Sequence, residues 1–216
     1  MREIRFPSGL IVSDPLERLV RFCREEYDYY DAVPPCHPNR IEPLDVLATV
    51  GINSRLDTAA KVRTVHRGMS SAVNPLLEQI PERAELHAFA SLEPLHELLA
   101  AAMTSRYVLL ATATKVLHRK RPALIPIMDS VVAGHFVHED PTEQALLKRS
   151  FENRNAAADI GRLTIERLRE DVVHGFAPLD ELREALDGEG FALSHVRIMD
   201  ILVWTERELT ASYRDA

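Results

Sequence analysis

The stretch Tyr107–Val132, YVLLATATKVLHRKRPALIPIMDSVV, carries most of what the chain reveals about its fold. Residues 107–117 are apolar around most of a helical circumference, which predicts a helix buried between others rather than one lying at the surface. The following HRKRPALIPIMD ends that helix, because proline lacks the amide for the i→i−4 bond and its ring crowds the preceding turn. Asp129 and Ser130 are residue types that cap helices, so a new helix is expected from Val131 and Val132. A central helix, a basic turn and an acid at a helix start therefore follow one another without a break.

Toward the N-terminus, Asp14 before Pro15 reads as the N-cap and first residue of a helix that runs to about Tyr30, with Leu16, Leu19, Val20 and Cys23 at helical spacing. DAVPPCHPN cannot sustain a helix and is expected as an extended loop. Further helices are expected at Pro43–Val50, from Asp57 through Ala59, Val62, Val65 and Met69, at Val73–Ile80 and at Glu93–Ala102. Toward the C-terminus they are expected at Thr142–Asn153, Asp159–His174 and Leu179–Asp187. A last helix opens at Ser194 and carries VRIMDILVW with the sole tryptophan, Trp204. Only EIRFPSGLIV suits a hairpin or loop. The expectation is an all-α fold, one helical domain over residues 1–216.

The net charge is −7, and both halves of the chain are acidic, 15 acidic against 12 basic residues up to Val108 and 18 against 14 beyond it. A protein that holds nucleic acid by phosphate neutralisation usually presents a basic face, so tight non-specific binding is disfavoured. Cys23 and Cys36 form no metal-ligand pattern, and the first residues lack the apolar core of a signal peptide. No run approaches the about 18 apolar residues that suggest a membrane span. A soluble, cytoplasmic protein without membrane attachment is expected. No Walker loop, dinucleotide fingerprint or nucleophile elbow is present, so no cofactor is assigned.

Asp129 is the candidate catalytic residue, since backbone amides and the helix macrodipole stabilise a carboxylate at a helix start; the plainer role is an N-cap. His118, Arg119, Lys120 and Arg121 read either as a solvated turn or as an anion site beside Asp129. Lys115, on the preceding helix, joins them as a candidate ligand-binding residue. Asp200, a further candidate ligand-binding residue, lies within the apolar run Ile198–Trp204, where a carboxylate needs a partner; it reads either as half of a structural ion pair with an arginine, from the basic turn for example, or as a catalytic group. HFVHED, residues 135–140, lacks the two-His-plus-base spacing of a zincin, and no metal is assigned. Tyr27, Tyr29 and Tyr30 could line a pocket or serve packing.

LATATKVLHRKRPALIPIMD, together with VRIMDILVW and RIEPLDVLATV, resembles an uncharacterised family of helical bacterial proteins, which look like distant relatives of the helix-hairpin-helix DNA glycosylases. Thr112 and Ala113 match the Thr-Ala pair that follows the glycosylase hairpin, and Asp129 stands sixteen residues beyond Ala113, as the catalytic acid does in some of those enzymes. The resemblance implies a helix-hairpin-helix-like scaffold, a nucleic-acid or nucleotide-like ligand, and an acid that supports cleavage of an N-glycosidic bond in a flipped nucleotide. The sequence departs from that pattern twice. Tyr107, Val108 and Leu109 stand where the hairpin glycines would be, and Ala111 stands at the Schiff-base lysine, with Lys115 one helical turn further on. The competing functions are a protein-interaction module without catalysis and a small-molecule enzyme that reuses the scaffold.

Overall fold

The computed structural model describes residues 3–137 and 140–212, with side chains described through Glu206. A short antiparallel hairpin opens the chain, β1 (Glu3–Arg5) against β2 (Ile11–Ser13), with Ile4 opposite Val12 and both side chains buried. Ten α-helices follow among the described residues: α1 (Pro15–Glu26), α2 (Pro43–Ala48), α3 (Ala59–Leu77), α4 (Glu93–Ala102), α5 (Leu110–His118), α6 (Ser130–Phe136), α7 (Pro141–Ser150), α8 (Arg154–His174), α9 (Phe176–Gly188) and α10 (His195–Ser212). The fold is all-α, as the apolar periodicity predicts.

One hydrophobic core runs from Ile4 to Val203, and α5 lies within it. Seven of its residues are buried, among them Ala113, Val116 and Leu117. Ile198, Met199, Ile201, Leu202 and Val203 of α10 join the same core. Trp204 is partly buried and packs against that core; its ring meets Phe22 edge-on at 5.9 Å and lines a cleft.

Most differences from the sequence reading have local causes. Asp14 precedes α1 in a left-handed conformation, φ 49, and its side chain makes no cap; Pro15 still opens the helix, with its fixed φ and no amide to leave unpaired. α3 absorbs the separate helix expected from Val73: it runs through Pro75, which can supply no amide to the preceding turn, and ends two residues later at Leu77. α5 begins at Leu110 rather than Tyr107, since Tyr107 has φ 67 and Leu109 is extended.

The turn between α4 and α5 is tightly held. Gly68 lets the α3 backbone approach it so closely that a Cβ there would stand 2.2 Å from Ser105 Oγ. Arg154, at the start of α8, donates to Thr104 O at 3.0 Å and to Ser105 O at 3.4 Å.

Candidate functional site

The basic turn after α5 is buried, contrary to the solvated or anion-binding roles read from its sequence. His118, Arg119, Lys120 and Arg121 are each 5% exposed or less. Their donors point into the protein. Arg119 donates to Tyr30 O, Val33 O and Pro34 O at 3.1–3.3 Å. Lys120 donates to His37 O at 2.8 Å, and Arg121 to Pro38 O, Leu77 O, Ile80 O and the Asn39 side chain.

The cause lies in the proline loop itself. Proline supplies a carbonyl but no amide, so residues 31–38 have more acceptors than local donors, and buried carbonyls need partners. The three cations supply them, with Asp45 as the buried counter-ion of Arg119 and Lys120. Its carboxylate accepts from Arg119 Nε at 3.3 Å, from Lys120 Nζ and from Glu42 N at 2.8 Å. With these donors engaged inward, the turn offers no outward anion site.

His118 donates from Nδ1 to Ile125 O at 2.6 Å, and burial together with the Arg197 charge pushes its pKa down to about 4. It is therefore a neutral structural histidine.

Asp200 does have an arginine partner, but not one from the basic turn. Arg197, three residues earlier on α10, donates to Asp200 Oδ1 at 2.7 Å and grips both oxygens of Asp31 at 2.9 Å. Asp200 Oδ2 accepts from Ile127 N at 2.9 Å, while Thr114 Oγ1 accepts from Met128 N at 3.1 Å. These two bonds hold the irregular segment that leads directly to Asp129. Burial raises the Asp200 pKa to about 7 against the opposing pull of Arg197. One guanidinium between two carboxylates cannot fully neutralise both, which agrees with that direction.

Asp129 caps α6, accepting from Val131 N and Val132 N, both at 2.9 Å on Oδ1. It is half-buried and faces a cleft of about 820 Å³. Lys115, Asp200 and Arg197 line the same cleft, with Phe22, Tyr107, Phe151 and Trp204 as its aromatic walls. Lys115 is 7% exposed and donates to Ile52 O at 2.5 Å; burial lowers its pKa, opposed by the nearby Asp129 charge. Of the seven residues singled out in the sequence, Lys115, Asp129 and Asp200 come together here, whereas His118 to Arg121 face the proline loop.

A family model, described as a family of unknown function (DUF6308), matches residues 17–207. The chain belongs to DUF6308. No curated protein and no solved structure matches it. The resemblance of this DUF6308 protein to glycosylases finds no support in these comparisons.

His135 of HFVHED approaches Ser8 Oγ through Nε2 at 3.0 Å, while His138 and Glu139 lie outside the described residues. Among the described residues no group of three His, Cys, Asp or Glu side chains is placed to hold a metal ion, and no helix is long and apolar enough to cross a membrane. Of the tyrosines, Tyr30 is buried and donates its hydroxyl to Lys115 O, whereas Tyr29 is exposed.

The sequence reading missed Asp31, Asp45 and Arg197. Arg197 had a visible signal, its i−3 position relative to a carboxylate that required a partner. Asp31 and Asp45 had none, because their cations come from distant parts of the chain.

Two buried groups give this DUF6308 protein opposite pH dependences. Asp200 holds a proton in the folded state between its ordinary value of 3.8 and about 7, so stability falls as pH rises through that window. His118 stays neutral in the folded state between about 4 and its ordinary 6.5, so its contribution rises with pH over that window. In the parent the two slopes oppose each other. Asp200→Asn should unmask the His118 rise, giving urea midpoints that climb from about pH 4 to about pH 6.5, with a slope of at most about 1.4 kcal/mol per pH unit. The slope is the readout, since the Asn amide nitrogen faces one of two donors and lowers absolute stability at every pH. Parallel profiles for parent and variant would contradict a protonated Asp200.

Proposed function

We propose that the chain binds a nucleotide or nucleic-acid ligand in the cleft between α5, α6 and α10, with Asp129 as the anionic group beside the scissile bond of an N-glycoside. The observation that carries this reading is the convergence of Lys115 and Asp129 on one cleft with aromatic walls. A cleft of about 820 Å³ has room for a nucleotide-sized ligand, and rings with a few convergent polar groups are the usual lining of such sites.

Two further features support it. Leu109 gives α5 no side-chain cap, so its first turn brings amides to the cleft beside Leu110, Ala111 and Thr112, where the helix dipole favours an anion. Tyr107 has a left-handed backbone where the glycosylase hairpin would carry a glycine. In the proposed reaction water adds to the anomeric carbon as the C–N bond breaks. Asp129 stabilises the cationic sugar and accepts the water's proton, while the departing base takes a proton from solvent, so that one proton passes from water to base overall.

The test is base release, followed by chromatography across nucleosides, damaged duplex and single-stranded DNA. Asn caps helices about as well as Asp, so Asp129→Asn should fold and melt like the parent while losing about 100-fold or more of turnover. Unchanged turnover in the folded Asn variant removes Asp129 from the chemistry.

The interaction-module reading has one observation in its favour: Tyr29, Leu44, Leu47 and Val50 are exposed on and around α2. Binding of a protein partner that is lost on Leu47→Asp, with no base release from any substrate, would favour that reading.

A further inference from the structure

Three non-glycine residues have a positive φ among the described residues: Asp14, Asn53 and Tyr107. Asp and Asn visit the left-handed region with the help of short polar side chains. Tyr107 has no such help, and at φ 67 its Cβ crowds the backbone. Burial does not compensate, since the residue remains 46% exposed.

The surrounding turn nonetheless enforces this conformation. Val108 is buried and donates to Ser105 O at 3.3 Å. The Gly68 approach and the Arg154 bonds fix the preceding residues from two other sides. A strained, exposed aromatic residue held so firmly is explained by what it presents outward rather than by what it packs against. What it presents is a ring at the wall of the cleft, with the Arg106 guanidinium 4.7 Å from the ring centroid. Phe151, 51% exposed at the end of α7, lines the same cleft.

We infer that Tyr107 is a ligand-stacking residue whose ring, held at the cleft by a strained turn, receives the planar heterocycle of a nucleoside monophosphate-like ligand. This rests on the nucleotide reading above and adds the residue that grips the base. A phenol ring and a heterocycle stack through their π-faces whatever the base, which suits a site without a base-edge code. Arg106 leans on the same ring and puts a positive charge beside it.

The experiment measures melting temperature and affinity together in Tyr107→Gly and Tyr107→Phe. The probes are 2-aminopurine riboside 5′-monophosphate, ribose 5-phosphate and 1-naphthalenesulfonate. Glycine relieves the backbone strain, which offsets its greater freedom in the unfolded chain, so the Gly variant should melt at or near the parent temperature. It should bind the aminopurine nucleotide roughly 5- to 150-fold more weakly, the equivalent of one lost stacking contact. Tyr107→Phe should bind like the parent, and ribose 5-phosphate should not distinguish the three proteins.

Equal affinity of the Gly variant and the parent for the aminopurine nucleotide overturns the inference while leaving the nucleotide reading intact. A drop in melting temperature as large as that of the core truncation Leu117→Ala also overturns it, because the ring would then be structural. Binding of neither planar probe by the parent does the same. Tyr107-dependent binding of naphthalenesulfonate alone upholds the stacking role and overturns the nucleotide reading.

Discussion

Asp45→Ala is expected to lose about 3–5 kcal/mol of stability in urea denaturation, the range for breaking a buried ion pair from one side. Asp45 is fully buried, and its carboxylate is the counter-ion of Arg119 and Lys120, both themselves buried. Removing it leaves two cations facing each other without compensation. It also removes the acceptor for Glu42 N in the capping box of α2, although Glu42 reciprocates with its own side chain. The comparison that isolates the charge is Asp45→Ala against Asp45→Ala with Lys120→Met, where one stranded cation is removed along with the anion. The double variant should recover part of the loss, because a hydrophobic replacement of a buried pair often approaches neutrality. A loss within about 0.5 kcal/mol for Asp45→Ala, the range of surface substitutions, would show that the pair is not buried in solution.

Arg121→Met is expected to be comparably damaging for a different reason. Arg121 is fully buried and has no carboxylate bonded to it; it spends its donors on the carbonyls of Pro38, Leu77, Ile80 and Lys120 and on Asn39 Oδ1. Burial lowers its pKa, yet the many acceptors around it keep the guanidinium hydrogen-bonded. Methionine fills much of the volume but strands several acceptors at about 1–3 kcal/mol each before relaxation. A loss of about 3 kcal/mol or more is expected, read from the urea midpoint at constant slope. The broader consequence concerns the triple substitution of Arg119, Lys120 and Arg121 by alanine. From the sequence it is a probe of salt-dependent nucleic-acid binding; with these contacts it should yield an unfolded chain, visible as lost helical circular dichroism. A folded triple variant with altered binding would overturn the structural role assigned to the turn.

Legibility was uneven within the candidate site. Asp129 could be read as a helix cap because capping depends on the residue and the next few amides, and both bonds appear where expected. The need of Asp200 for a partner was equally legible, since a carboxylate in an apolar run cannot remain uncompensated. The partner's identity was harder to read. Arg197 is local, but it is fixed in place by Asp31, which arrives from the far end of the sequence. Lys115 was read as a ligand-binding candidate alongside the basic turn, and only the folded chain separates it from that turn and sets it with Asp129 on a cleft wall.

What the sequence determined by itself is the all-helical class and most of the helices, the division of α3 being the exception. Apolar spacing, prolines and caps act over one or two turns, so α1, α4, α6 and α10 begin within a residue or two of their signals. The turn 118–121 was decided by tertiary structure. HRKR carries the same signature whether it meets water or a proline loop rich in unpaired carbonyls, and that loop lies some eighty residues away in the chain. The left-handed backbone of Tyr107 was likewise outside local reach, because no short-range preference of tyrosine favours it. It exists where α3, α8 and the buried Val108 hold the turn from several sides, a constraint that forms only once the core has closed.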